Sequence, residues 1–174
     1  MAGADTIEHG TRLDEETLAL MKLNGTILVP TLSTMYSVLE LGRGLDLLEK
    51  QREEMMLNAP LWRKSMSAAH EAGVRIAVGG DVGNRYPHSS NARELEFLVK
   101  EYVSSLEAIA AATSVSASAI GLESEVGSIE SGRLVDLLLV DGDPAARIEV
   151  LSERARIAVI VRGGRPLAGT LVKS

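Results

Sequence analysis

Two short segments of the chain each place a metal-competent side chain at the end of an apolar run, directly before or after glycine. In residues 7–10 a histidine follows strand-forming residues, and in residues 78–83 an aspartate follows a pair of glycines. His9 and Asp81 are therefore each expected at the end of a short β-strand. Imidazole and carboxylate groups are ordinary ligands of a divalent cation. The pattern thus predicts a fold in which strand ends deliver these two groups to one site.

Predicted strands alternate with predicted helices, which is the order of an α/β fold. The three strands are expected at residues 5–9, 26–31 and 74–79. The middle strand is almost continuously apolar, as expected for a strand buried on both faces of a parallel sheet. Asp14 is a good N-cap for the helix that follows the first strand, and Asn24–Gly25 is typical of its C-terminal end.

The helical segments between and after these strands are less regular. Residues 33–58 are expected to be helical or irregular, with a break at Gly42–Arg43–Gly44. A helix is predicted from Pro60 to Ala72, and further helices are predicted near 92–102, from Ser104, and around 115–120. The Ser104–Glu107 spacing is that of a capping box.

The last 50 or so residues, 123–174, differ in character from the rest of the chain. Turn-rich stretches there separate two apolar strands, predicted at 134–140 and 157–162, and Gly163–Gly164 suits a hairpin. The sequence therefore predicts two units, an α/β segment over 1–122 and a small β-sandwich-like module over 123–174.

Composition excludes several classes of protein. The chain has 18 basic and 24 acidic residues and a net charge of −6, which disfavours nucleic acid as a partner. It has no cysteine, which excludes disulfides and thiol nucleophiles and fits a cytoplasmic protein. No apolar run approaches the roughly 20 residues that span a bilayer. The motifs of serine hydrolases, of phosphate-binding loops and of His-Glu-x-x-His metalloproteases are absent.

A series of short motifs recurs along nearly the whole chain in a specific order. They are Ile7–Gly10, Leu28–Thr31, Ala72–Asp81, Leu106–Thr113, Gly127–Asp136, Asp141–Pro144 and Val161–Arg165. Together they resemble the amidohydrolase superfamily, specifically its imidazolonepropionase and Xaa-Pro dipeptidase-like branch. The resemblance implies a partial (β/α)8 barrel, with the three strands as the sixth to eighth of the barrel, followed by the small C-terminal β module.

The same resemblance implies roles for the two strand-end residues. His9 matches the metal-ligand histidine after strand six, and Asp81 matches the aspartate after strand eight that holds a metal and relays the proton of the attacking water. A divalent metal ion, zinc by expectation, is the implied cofactor. The family's His-x-His motif, its carboxylated lysine and its strand-five histidine have no counterpart in these 174 residues.

Other residues are weaker candidates. Tyr36, after the second strand, and His88, in the loop after Asp81, are predicted to contact substrate, and His88 is also a possible third ligand. Each has a structural alternative: a solvated loop residue for His88, a strand-end histidine satisfied by backbone for His9, and a turn cap for Asp81. Glu94 fits either the mouth of a pocket or the chemistry of a helix start.

Two hypotheses about function follow. The first is a truncated amidohydrolase-like, metal-dependent hydrolase that cleaves an amide or ester bond of a small substrate. The second is a non-catalytic, metal-free oligomeric fragment, or one half of a split or longer hydrolase. Three parallel strands cannot close a barrel, and exposed strand edges and apolar faces favour association. We therefore expect a homo-oligomer or association with an N-terminal portion, and no nucleic-acid or membrane partner.

Overall fold

A computed structural model describes residues 3–41, 49–83 and 86–169 as a mixed α/β structure. Its main elements are β1 (Thr6–Glu8), α1 (Glu15–Asn24), β2 (Ile27–Val29), α2 (Leu32–Leu41), α3 (Glu49–Glu71), α4 (Arg93–Glu101), α5 (Ser105–Ala110), α6 (Ser116–Ala119), β3 (Leu137–Val140), β4 (Ile157–Arg162) and β5 (Arg165–Ala168). A π-helical segment, Ala111–Val115, joins α5 to α6. No helix within the described ranges is long and apolar enough to cross a membrane.

The first two strands form a parallel pair, as the sequence predicts. β1 and β2 align Thr6 with Ile27 and Glu8 with Val29. Residues 74–78 lie on the other side of β2, where the backbone N–H of Leu28 donates to the Arg75 carbonyl at 2.9 Å. This third segment pairs through a single bridge between Leu28 and Ile76, so the predicted strand 74–79 is much shorter than expected. The three segments nevertheless run side by side in the same direction.

The core lies between this sheet and the helices that follow its strands. Its fully buried side chains come from β2, α2, α3 and α4, and they include Leu28, Leu32, Met35, Met66 and Leu98. α1 also contributes, because its buried residues Leu18 and Met21 belong to the same cluster. The parallel sheet is thus packed against four helices, α1 to α4.

Two helical predictions differ from the structure. α3 begins at Glu49 and not at Pro60, which lies inside it. The turns before Pro60 are rich in helix-favouring Glu, Lys, Arg and Met residues, so the helix tolerates the one hydrogen bond that proline removes. The predicted break at Gly42–Arg43–Gly44 lies outside the described residues. The predicted short helix at 115–120 is the last turn of a helical run that starts at Ser105.

The C-terminal strands form a separate antiparallel sheet in the order β3-β4-β5. A turn at Gly163–Gly164 joins β4 to β5, as predicted from the glycine pair. Between β3 and β4, the buried side chain of Ile148 joins the main core. One face of the sheet carries an apolar row across all three strands, since Leu138 pairs with Ile160 and Ile160 pairs with Ala168. All three of these side chains are exposed.

Candidate metal and active site

The carboxyl ends of the three parallel segments share an unusual backbone conformation. His9 follows β1, Thr31 follows β2 and Asp81 follows residues 74–78, and their φ angles are 66°, 51° and 44°. Among the described non-glycine residues, these are the ones with positive φ. Parallel strands end at the same edge of a sheet, so the three residues lie along one edge, with Thr31 between His9 and Asp81.

Left-handed backbone is costly for residues other than glycine, and most of all for a β-branched residue such as Thr31. Strained conformations of this kind persist where the surrounding structure holds them, and they cluster at functional sites. The repetition of the same strain at three neighbouring strand ends therefore marks this edge as the candidate site.

His9 is exposed but its ring is held from two sides. Its Nδ1 lies 2.6 Å from the hydroxyl oxygen of Thr31. The ring also meets Trp62 of α3 edge to face, with centroids 6.3 Å apart and planes at 88°. The Nε2 atom has no hydrogen-bond partner within the part of the chain that the structure describes. The imidazole is therefore oriented by the protein through Thr31 and Trp62.

Asp81 is the second exposed candidate ligand. Its carboxylate accepts a hydrogen bond from the hydroxyl of Thr34, in the first turn of α2, at 3.3 Å. The preceding Gly79 allows the segment to approach β2, because a Cβ on Gly79 would lie 2.6 Å from a methyl group of Val29. Gly79 thus has a packing reason for being glycine.

The corner between β2 and α2 is fixed by a buried carboxylate from α4. Glu94 is fully buried, and its carboxylate accepts from the backbone N–H groups of Leu32 at 2.6 Å and Ser33 at 2.8 Å, and from the Ser33 hydroxyl at 2.7 Å. Burial raises the pKa of Glu94 to about 7, while the three donors act in the opposite direction. This corner runs from Thr31, which holds His9, to Thr34, which contacts Asp81.

Tyr36 is in the core, where its ring stacks on Phe97 with centroids 4.1 Å apart. Its hydroxyl donates to Glu101, which also accepts from Arg63 at 3.0 Å. Burial first, and then the contact with Glu101, raise the pKa of Tyr36 to about 12. With the side chain 2% exposed and its hydroxyl engaged, Tyr36 joins α2 to α4. Its role as a substrate contact stays a prediction without support from this geometry.

His88 lies in a 3-10 turn, His88–Ser90, and its ring is exposed. The ring packs against Gly83, where an added Cβ would lie 3.2 Å from the imidazole. Within the described ranges no group of three or more His, Asp or Glu residues is arranged to hold a metal ion, so His88 does not complete a cluster with His9 and Asp81. Its contact with substrate is still a prediction.

The residues present fit part of a metal centre. His9 Nε2 and the Asp81 carboxylate are suitable donors. Their segments lie on either side of β2, which places the two strand ends about 10 Å apart. A catalytic zinc site takes three protein ligands, and the described part of this chain supplies two. His9 also lines an open cleft of about 560 Å³ with Arg12 and Asn58.

The chain is similar in sequence and in fold to one known family of proteins. The model of the amidohydrolase family matches residues 1–167. The chain belongs to the amidohydrolase family. It is 30% identical over 170 residues to the ochratoxinase of Aspergillus niger, and the match covers 97% of this chain and 35% of that protein.

Other members show the same partial coverage. The imidazolonepropionase of Symbiobacterium thermophilum is 29% identical over 168 residues, which cover 94% of this chain and 34% of the relative. The crystal structure of a Xaa-Pro dipeptidase with methionine bound in its active site superposes with a TM-score of 0.85 and 34% identity, over 97% of this chain and 41% of that one. The chain thus spans about a third of the curated relatives it matches.

Sequence reasoning placed His9 and Asp81 at strand ends but did not single out Thr31 as a site residue. A signal was available, because Thr31 follows its strand just as the other two follow theirs. Glu94 was noted, but its role differs from both expectations, since it caps the start of α2 and not that of its own helix. That role depends on residues about 60 positions apart, which the sequence alone does not bring together.

Proposed function

We propose that this chain is the C-terminal portion of a metal-dependent amidohydrolase and contributes His9 and Asp81 to one metal centre. In this proposal residues 1–122 are part of a (β/α)8 barrel, in which β1, β2 and residues 74–78 are the sixth to eighth strands. Residues 123–174 form a small β-sandwich-like module. The observation that carries the proposal is the alignment of His9, Thr31 and Asp81 at one sheet edge, all with positive φ.

The two residues have complementary tasks. His9 offers the Nε2 lone pair from a ring that Thr31 and Trp62 hold in place. Asp81 offers an exposed carboxylate that can bind a cation and accept a proton from water beside it. When bound, a divalent ion such as zinc lowers the pKa of its water and polarises the scissile carbonyl. The substrate is then a small molecule with an amide or ester bond.

The centre needs protein from outside this chain. Two ligands fall short of a catalytic set, and the outer edge of β1 has no partner strand within the described ranges. The apolar row of Leu138, Ile160 and Ala168 is a second uncovered surface. A second copy of the chain, or the remaining portion of a longer or split hydrolase, would cover these surfaces and supply the missing ligands.

Peptide-bond hydrolysis at proline is the first activity to test, since one similar structure is described as a Xaa-Pro dipeptidase. The assay measures hydrolysis of Xaa-Pro dipeptides and of a chromogenic ester, with zinc content and molecular mass determined on the same sample. We expect His9→Asn and Asp81→Asn each to remove bound zinc and any chelator-sensitive turnover.

Matched controls separate the site from general effects of histidine or aspartate loss. His70→Gln removes a histidine whose ring contacts Glu107 at 3.1 Å, and Asp5→Asn removes an exposed carboxylate at the opposite end of β1. Both controls should leave zinc content unchanged. Turnover that survives in both site variants would contradict the metal mechanism.

The second candidate function is that of a metal-free, non-catalytic assembly. The observation in its favour is the incomplete ligand set, because no described group of three carboxylates or histidines surrounds the site. A purified chain that forms a defined oligomer, binds no zinc at millimolar concentration and shows no turnover would favour this alternative.

A further inference from the structure

The hydroxyl of Thr31 makes two short contacts, and together they specify where the His9 proton lies. Its oxygen is 2.6 Å from His9 Nδ1 and 2.7 Å from the carbonyl oxygen of Pro30. A hydroxyl has one hydrogen to donate, and a carbonyl oxygen can only accept. The hydrogen therefore belongs between Thr31 and Pro30, since otherwise two oxygen lone pairs would face each other at 2.7 Å. Towards His9 the hydroxyl must then accept, which requires a hydrogen on Nδ1.

The surroundings leave Thr31 little freedom to choose another arrangement. Thr31 is buried, and its backbone is in the left-handed region. The next two N–H groups in the chain, of Leu32 and Ser33, are both bound to the Glu94 carboxylate. The hydroxyl is thus held in place, because a change of the backbone at Thr31 would break the buried hydrogen bonds of Leu32 and Ser33 to Glu94.

The His9 ring cannot easily flip to exchange its two nitrogens. Trp62 contacts the ring edge to face from α3, and the His9 backbone N–H is bound to the Val29 carbonyl at 2.9 Å. A flip would move Nδ1 away from Thr31, the hydrogen-bond partner of the imidazole among the described residues, and leave a buried hydroxyl lone pair unmatched.

We infer that Thr31 is a positioning residue that locks His9 in the Nδ1–H tautomer and so keeps the Nε2 lone pair free. A free histidine side chain prefers the opposite tautomer, with the hydrogen on Nε2. The lock gives the proposed ligand its metal-ready form before any metal binds. The inference deepens the proposed function, but the tautomer is a property of the chain without metal.

The test is a long-range ¹H–¹⁵N correlation spectrum of the imidazole rings in the chelator-treated chain, recorded near pH 8.5, about two units above the ordinary histidine pKa. His9, His70 and His88 are assigned by their glutamine variants. We expect His9 to show a protonated Nδ1 and a bare Nε2. His88 is exposed and has no hydrogen-bond partner within the described residues, so it serves as an internal reference with the ordinary Nε2–H preference.

Thr31→Val removes the hydroxyl and keeps the β-branched shape. We expect it to lower the ratio of Nδ1–H to Nε2–H in His9 about tenfold, as one hydrogen bond allows, while Thr31→Ser keeps the ratio high. Thr31→Gly is a second variant without the hydroxyl, and glycine suits the φ of 51°, so it tests the lock if the valine variant fails to fold.

Two results would overturn the inference: an Nε2–H form of His9 in the unaltered chain, or an Nδ1–H form retained in both Thr31→Val and Thr31→Gly. Failure of the proposed function is distinguishable from either. A chain that has the locked tautomer but binds no zinc refutes the metal proposal alone, and a chain that binds zinc through His9 without the lock refutes only the role of Thr31.

Discussion

The parallel sheet edge and the C-terminal antiparallel sheet differ in how polar groups are hydrogen-bonded and how far apolar side chains are exposed. At the parallel edge, polar residues are held from within, by the buried Glu94 and by hydroxyls in a strained corner. In the antiparallel sheet, apolar residues are exposed, and Leu138 and Leu139, on opposite faces of β3, are 47% and 48% exposed. The ion pair between Arg147 and Glu153, in the connection from β3 to β4, also lies at the surface.

This difference indicates which part of the chain is preorganised and which part leaves an apolar surface uncovered. The β2–α2 corner already has its hydrogen bonds and backbone geometry in place, so the two candidate ligands are oriented without help. The antiparallel sheet has no cover on its apolar row among the described residues. Variants of the first region should therefore act on stability and geometry, and variants of the second on association.

The largest expected effect is that of Glu94→Ala. It leaves the buried N–H groups of Leu32 and Ser33 and the Ser33 hydroxyl without their acceptor. We therefore expect the free energy of unfolding to fall by about 4 kcal/mol. Urea unfolding followed by circular dichroism measures it. The matched variant Glu153→Ala breaks an exposed ion pair, and it should barely move the midpoint. Equal effects of the two variants would contradict the comparison.

The next effect is a pH dependence that arises from Glu94. Its pKa is about 7 in the folded chain and near the ordinary glutamate value of 4.5 when unfolded. Between these values the folded state binds more protons, so stability falls as pH rises from about 4.5 to 7, by about 3 kcal/mol in all, and is flat above. Denaturation midpoints at intervals across this range should show the fall.

Glu94→Gln should flatten this dependence, since glutamine does not titrate. Glu153 provides the contrast, because Arg147 lowers the pKa of Glu153 and its window lies below pH 4.5. Glu153→Gln should therefore leave the slope between pH 4.5 and 7 unchanged. A slope that survives in Glu94→Gln would assign the effect to another group.

A smaller effect is expected from Gly79→Ala. The added methyl would lie 2.6 Å from a Val29 methyl group, and such overpacking costs about 1–3 kcal/mol. Val29→Ala removes the opposing methyl group, so the double variant should lose less stability than the two single variants add up to. Strict additivity would show that the close approach of residues 74–80 to β2 is not what requires glycine.

The smallest effect on stability is expected from Leu138→Gln, below about 0.5 kcal/mol, because the side chain is already half exposed. Its effect should be on association instead, and sedimentation at several concentrations should show a lower average mass. Leu23→Gln is the control, since Leu23 is 77% exposed but belongs to α1 and not to the row. A mass that changes equally in both variants would remove the apolar row as the contact.

The sequence predicted the elements that are encoded locally. The apolar run before Pro30 predicted β2, and the glycine pair at 163–164 predicted the hairpin. Asp14 predicted the start of α1, where its side chain accepts a hydrogen bond from the Thr17 N–H. The apolar residues before His9 also predicted that it follows a strand, whereas the segment before Asp81 pairs through a single bridge. Each of these depends on contacts within a few residues.

The features that sequence reasoning missed depend on distant contacts. Glu94 binds the start of α2 across about 60 residues, and Tyr36 turns towards Glu101 across a similar separation. Pro60 suggested a helix start, but packing of Trp62 and Met66 on the core favours one long helix through it. Thr31 gained its role only when its strand was placed between the other two.

The central claim is that His9 and Asp81 serve one metal centre, and a double-mutant cycle of zinc affinity tests it most directly. Calorimetric titration of the chelator-treated chain would compare the unaltered protein with His9→Asn, Asp81→Asn and the double variant. If the two residues share one ion, each single variant should weaken binding and the double variant should be little worse than either. Losses that simply add, or zinc binding that neither variant changes, would contradict the shared centre.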